Sequence, residues 1–460
     1  MLGTLEDGIL HRVCRQLCPH CRGYVVDADP RTPPSLMALR SLALTCSKLS
    51  KVALIYYYHR IERVRTLSGL LQSLVSRPDL AICVKQFYVP TGQWRHHEEW
   101  NRMTDMFPHL VAWRTRRPDH QQIAAPDQAI LEEILLYMPM LEMCSVPFCR
   151  DDMDRPHRPF LHSPFLFLRA LRVAMAANFV REIRRLRFLE MLSACPNLDW
   201  LMMEGSMSYA NPAAAARPNP ADFKLDHSVR PMSKLRTLQI EQFVILSSDA
   251  VPVLTAFIRS CPMLRFFRYA PIFSGYKSIK HIMRPGAMLS ALTPAQETLT
   301  WLELDFSGLI RKYYDVFDKN IGLHLAAFTK LEVLILDERT LLHPRDWIRP
   351  LAICVGDCIV DILPVTVQGF IIITIGPDAH LDDDLITLAE AVRNGRFPCL
   401  RSIKIGYKPA QNAGEEATRR EETKHLDNLM RQHFEGTLVS AETGMVPKSY
   451  GPKTFGHPRK

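Results

Sequence analysis

Apolar residues recur along the chain in one short spacing: an apolar position, then two more, three and five residues later. Ten such hexads can be read, at Val84–Val89, Leu141–Val146, Leu168–Val173, Leu198–Met203, Leu235–Ile240, Leu264–Tyr269, Leu299–Leu304, Leu331–Leu336, Val367–Ile372 and Leu400–Ile405. Side chains two residues apart lie on the same face of a strand, so each hexad predicts a turn that enters a short strand. A second signal is independent of the first. Five units are entered through an apolar-Pro-x-Leu step, at Phe107–Leu110, Met138–Leu141, Cys195–Leu198, Cys261–Leu264 and Phe397–Leu400. Proline stops a helix and biases the preceding residue toward extended geometry, so the chain turns from helix to strand at the same point in each unit. The first of these steps exposes a degenerate unit at Leu110–Trp113, making eleven units with a mean period of about 32 residues.

Between the strands the apolar spacing changes to three and four residues, which predicts helices at 130–137, 180–192, 253–260 and 385–393. A strand and a helix in every unit, with Leu at the leading positions, resembles leucine-rich repeats of the longer, irregular kind. The Asn or Cys that usually follows the strand is missing, for example at Asp305 and Asp337. Pro-rich stretches at 147–164 and 211–231 fall between units, where a repeat array tolerates surface loops. The competing reading is an ordinary α/β protein whose parallel strands happen to begin with Leu.

The first sixty residues carry a different pattern. Thr4 with Asp7 predicts a capped helix start, and Leu5, Ile9, Leu10, Val13 and Leu17 form one stripe of a helix that must stop by Pro19. After a loop at 19–34, a second helix begins with Leu36, Leu39, Leu42 and Ala43. A third carries Leu49, Val52, Ala53 and Tyr56 and ends near 58–61. Three short helices cannot bury all these stripes alone, which leaves apolar surface for a partner.

Leu5-Glu6-Asp7-Gly8-Ile9-Leu10 through Cys21, with Leu39–Leu49 and the Tyr56-Tyr57-Tyr58-His59 run, resembles an F-box. The stretches 76–89 and 397–406 also look like F-box proteins of the kind common in filamentous fungi, so the resemblance covers residues 4 to 408. It implies an α/β protein: an F-box-like three-helix module at 1–62 and an irregular leucine-rich-repeat solenoid at 63–410 with strands on its concave side. Residues 411–460 read from their composition as a charged, partly disordered tail. The resemblance further implies a substrate-receptor subunit of a Skp–cullin–F-box ubiquitin ligase. The adaptor surface would hold Leu5, Ile9, Leu10, Val13, Leu39, Leu42 and Leu49, any of which is otherwise internal core. The client surface would hold Arg236, Gln239, Arg265, Arg268, Glu303 and Glu332, because alternate strand side chains point outward. The family usually has Leu-Pro where this chain has Leu5-Glu6. That difference favours the alternative, a non-catalytic leucine-rich-repeat scaffold whose first helices only cap the array.

Composition narrows the classes. The 460 residues are 47% hydrophobic and 23% charged, with 20 Gly, 33 Pro and a formal net charge of +9. Scarce Gly disfavours phosphate loops, and no P-loop, G-x-G-x-x-G or G-x-S-x-G is present, so no residue is nominated as catalytic. Glu6 and Asp7 stand where a signal peptide would be basic, and no 18-residue apolar run exists. The twelve Cys are scattered, so a cytoplasmic or nuclear location with free thiols is expected. Cys14, Cys18 and Cys21 cluster near His11 and His20, with Cys46 as a remote fourth donor. No second C-x2-C exists, so free thiols are expected rather than a metal, and no cofactor is expected. Asp382-Asp383-Asp384 reads as a helix start, and His96-His97-Glu98-Glu99 as a solvated face. Arg181, Arg184, Arg185 and Arg187 share their helix with Glu182 and Glu190, which argues against nucleic acid.

Overall fold

The computed structural model describes residues 6–22, 34–62, 64, 66–89, 125–148, 164–175, 192–205, 232–241, 250–271, 283–308, 321–341, 359–374, 381–407 and 413–445. Leu5, the degenerate unit at Leu110–Trp113, the helix expected at 180–192, the two Pro-rich stretches (but for their edges), His96–Glu99 and the Arg181–Arg187 cluster lie outside these residues. The chain divides into two compact units, one of residues 1–176 and 185–201, the other of residues 177–184 and 202–460.

The first unit opens with three helices, α1 (Asp7–Leu17), α2 (Pro34–Ala43) and α3 (Ser47–Tyr58). Leu10, Cys14, Cys18, Leu36, Leu39, Leu49, Val52 and Ala53 meet in one buried cluster that all three helices supply. Helix α1 is preceded by Glu6, whose side chain makes no capping bond. Asp7 instead lies in the first turn, where an acid suits the helix dipole, and pairs with Lys48 of α3 at 3.2 Å. Strands β1 (Arg60–Ile61), β2 (Gln86–Tyr88), β3 (Met143–Phe148) and β4 (Ala170–Met175) follow in chain order and pair in parallel. Helices α4 (Leu67–Ser76), α5 (Pro78–Ala81) and α6 (Ala125–Leu136) lie between them in the chain. Strand β5 (Trp200–Gly205) falls across the division between the units.

The second unit continues with β6 (Thr237–Glu241), β7 (Phe266–Ala270), β8 (Trp301–Leu304), β9 (Val333–Asp337), β10 (Gly369–Thr374), β11 (Ser402–Tyr407) and β12 (Ser440–Met445). Every pair from β6·β7 to β11·β12 is parallel and adjacent in chain order. Helices α7 (Ala250–Arg259), α8 (Pro285–Ala291), α9 (Ile321–Ala326), α10 (Glu338–Leu341), α11 (Ile359–Ile362), α12 (Asp382–Arg393) and α13 (Ala413–Phe434) occupy the intervals. Among the described residues, no helix is long and apolar enough to cross a membrane.

All ten hexads are strands, and in each the strand starts at the third residue of the hexad. The register explains why the spacing is fixed. Leu238, Phe267, Leu302, Leu334, Phe370 and Ile403 are aligned across six strands, and Ile240, Tyr269, Leu304, Leu336, Ile372 and Ile405 form the next row on the same face. All twelve side chains have 0% exposure. A slip of one residue would turn this whole set to the other face, so burial specifies register strongly.

The Pro step has an equally local cause. The carbonyls of Met138, Cys195, Cys261 and Phe397 accept from the amides of Leu141, Leu198, Leu264 and Leu400 at 3.1–3.2 Å. Each is a β-turn with Pro at its second position, where the ring already holds the backbone angle the turn needs. The unit then locks onto its neighbour: Arg265 and Phe266 donate to the Arg236 carbonyl, Thr300 and Trp301 to Arg265, and Glu332 and Val333 to Thr300.

Asp337 is the last residue of β9. Its buried carboxylate accepts from the Phe306 amide and the Thr340 hydroxyl, both at 2.8 Å, so it ties one unit to the previous one. Asp305 accepts from the Ser307 amide at 3.1 Å and from the Ser307 hydroxyl. Asp337→Ala leaves two buried donors without this acceptor and is expected to cost about 2–3 kcal/mol. Asp337→Asn, which keeps an acceptor oxygen, should cost less than half of that; urea midpoints of the two variants check the ordering.

Beyond residue 410, α13 buries Leu426, Met430 and Phe434 at four-residue spacing, and β12 pairs with β11 over six positions. The segment up to Met445 thus continues the array.

Candidate functional site

Helix α1 presents two kinds of apolar side chain. Leu10 and Cys14 point into the three-helix core, whereas Ile9 and Val13, four residues apart and on one face, are each 44% exposed. Met37 of α2 and Leu44 just after it are also exposed, at 50% and 79%. The expected adaptor positions therefore separate. Leu10, Leu39 and Leu49 are core residues at 2%, 0% and 3% exposure, and Leu42 is half-buried against that core. A buried side chain offers no contact area, so Leu10, Leu39 and Leu49 are corrected from docking to packing. Ile9 and Val13 remain on the surface, and Leu5 lies outside the described residues.

The expected client positions separate in the same way. Arg236, Arg265 and Glu332 are exposed at the strand entries. Gln239, Arg268 and Glu303 are buried at 2%, 6% and 1%, which corrects their expected outward placement. They align in one row, in register with Ile335. Ile335 and Ile373, both at 0%, form a second apolar cluster with Trp301, Val333 and Ile371 on this face of the sheet. Parallel sheets are commonly buried on both faces, and alternation alone does not reveal that. The charged members are paired: the Arg268 guanidinium lies 3.2 Å from Glu241 and 3.2 Å from Glu303.

A third assembly joins residues far apart in the chain. Helix α1 ends at Cys18, whose carbonyl accepts from the Arg22 amide at 3.1 Å, so Cys18-Pro19-His20-Cys21 forms a tight turn. Helix α3 ends at His59, whose carbonyl accepts from the Lys85 and Gln86 amides at 3.0 and 2.8 Å. These anchors bring one donor atom each of Cys18, His20, Cys21 and His59 within 4.8 Å of one another. His59 Nδ1 is 3.6 Å from Cys18 Sγ and 3.5 Å from Cys21 Sγ, and His20 Nδ1 is 3.8 Å from Cys21 Sγ. The far nitrogen of His20 meets the Glu142 carboxylate at 3.2 Å, and Lys85 Nζ lies 3.4 Å from that carboxylate's other oxygen.

The electrostatics favour a thiolate. The Cys21 thiol donates to Cys18 and, against the opposing effect of burial, the His20 and His59 rings add to it, so Cys18 is held well below the ordinary thiol range. Cys21 is raised in turn, first by that same hydrogen bond and then by burial. Burial opposes a charge on His20, yet its bonds to Cys18 and Glu142 lift it to about 9. His20 also holds Glu142 below the usual carboxylate range, with Lys85 adding to it.

Of the residues weighed from sequence, Cys18, Cys21 and His20 enter this cluster. Cys14 belongs to the three-helix core and Cys46 is exposed on the approach to α3. His59 was missed, because it lies 38 residues beyond Cys21 and no local spacing links them. No known family model matches the chain, and no curated protein matches it.

Proposed function

We propose that the protein is a substrate receptor of a Skp–cullin–F-box ubiquitin ligase, docking the Skp-type adaptor through its N-terminal helices and a client protein through its strand array. The observation that carries this reading is the division of labour on α1. Leu10 and Cys14 serve a three-helix core, while Ile9 and Val13 stay exposed on one face. Exposed aliphatic side chains on a small helical module are what a partner helix would cover. Catalysis in such an assembly is proximity, with the ubiquitin chemistry on other subunits. Client contacts fall to surface residues of the array, and Arg236, Arg265 and Glu332 are three that solvent reaches.

Co-purification of the full chain with the adaptor tests the reading. Ile9→Asp with Val13→Asp is expected to weaken capture at least ~100-fold, since central apolar contacts dominate such interfaces, while leaving stability unchanged. Capture by the intact chain that survives both changes, or no capture at all, overturns it. The second outcome favours the scaffold alternative, in which the helices only cap the array.

A further inference from the structure

We propose that Cys18, His20, Cys21 and His59 form a structural zinc site that pins the N-terminal helices to the first strands of the array. Zinc takes sulfur at about 2.3 Å and imidazole nitrogen at about 2.0–2.1 Å in a tetrahedron, which places neighbouring S and N donors about 3.6 Å apart. Three of the four S–N pairs, His59 with each sulfur and His20 with Cys21, are separated by 3.5, 3.6 and 3.8 Å, and all four donor atoms lie within 4.8 Å of one another. Two thiols and two imidazoles make the S2N2 set that is one of the usual ligand sets of structural tetrahedral zinc. When both thiols give up their protons to solvent, two thiolates cancel the charge of the ion, which suits a half-buried location. Cys18 and Cys21 also have the C-x2-C spacing that lets one turn present two sulfurs to one ion.

The surroundings are built for the ion as well. Facing His20 Nδ1 toward the sulfurs fixes its tautomer, because Glu142 receives the proton on the other nitrogen. That carboxylate–histidine pairing is the usual outer support of a zinc ligand. Glu142 is held in place by Lys85 and by its own amide, which donates to the Lys85 carbonyl at 2.8 Å. Tyr56 packs against the His59 ring at 5.1 Å and its hydroxyl meets His11. The site thus gathers the end of α1, the end of α3 and the entry to β3. It stands on geometry within the first unit alone and does not depend on the ligase reading.

Full-length protein, purified in reducing buffer with zinc as the metal added, is expected to carry one zinc per chain by elemental mass spectrometry. Cobalt exchanged into it should give a tetrahedral spectrum with charge-transfer intensity for two thiolates. Cys21→Ser and His59→Ala should lose at least nine-tenths of the bound zinc, Glu142→Gln should bind it 10–100-fold more weakly, and Cys46→Ser should keep a full equivalent. Should the ligand variants not fold, the two-thiolate cobalt spectrum and chelator-induced, zinc-reversible loss of structure in the wild type support the site. Less than a tenth of an equivalent of zinc, equal binding by the ligand variants when folded, or a Cys18–Cys21 disulfide in place of metal overturns it.

Discussion

Phe370→Ala is expected to destabilise the second unit by about 3–5 kcal/mol, measured as a loss of urea midpoint without change in slope. Phe370 has 0% exposure and lies between Leu334 on β9 and Ile403 on β11 in the aligned core row. Removing the ring deletes its transfer free energy and leaves a cavity that neighbours on two strands would have to fill. They cannot collapse freely, because each is fixed by a parallel ladder over five or six positions. Arg401→Ala, an exposed position at the entry to β11, should change stability by less than about 0.5 kcal/mol. In a repeat array each unit depends on its two neighbours, so the Phe370 effect should reach both. Amide exchange should quicken in β9 and β11 as well as in β10. Exchange that rises in β10 alone would contradict this coupling.

The strands were legible because burial in this fold is written at short range. The residue pairs Phe267/Tyr269 and Leu334/Leu336 each sit two apart and lie on the same buried face, so sequence spacing and spatial register coincide. The Pro steps were legible for the same reason: a turn is closed within four residues. Two strands escaped. β1 has only two residues, and β12 places Ala441 and Thr443 opposite Ile403 and Ile405 of β11. A terminal strand has one neighbour and is covered on a face by α13, so it needs less aliphatic bulk. The opposite sheet face was misread for a different reason. Alternation identifies which residues leave the core row, but it does not say whether a second layer awaits them, and Gln239, Arg268 and Glu303 met burial instead of solvent. The Cys/His cluster shows the same limit. Cys18 and Cys21 lie three residues apart in one turn, yet His59 and Glu142 arrive through tertiary contacts, 41 and 122 residues from their partners.

Arg268→Ala should be as damaging as the loss of Phe370, by about 3–5 kcal/mol near pH 7, although it removes a charged residue. Arg268 is 6% exposed, with Glu241 and Glu303 each 3.2 Å from its guanidinium. Burial opposes its charge, while Glu303, Glu241 and Asp305 together hold it above its ordinary range. The pairing itself adds little net stability, since desolvating both partners offsets most of the attraction. Losing one partner is different: buried carboxylates then remain without this opposing charge. In the variant they ionise less readily in the folded chain than in the unfolded one, which raises their folded-state pKa. Groups raised in this way favour the fold below the unfolded value near 4 and lose that contribution as pH rises through the folded value. The deficit of Arg268→Ala against wild type should therefore shrink at pH 4.5 and be largest above pH 7, as read from urea midpoints across the range. Arg268→Ala combined with Glu241→Gln and Glu303→Gln should recover much of the stability at neutral pH, because amides tolerate burial without a counter-charge. A deficit that does not vary with pH would mean that Arg268 contributes through packing of its aliphatic stem and not through its charge.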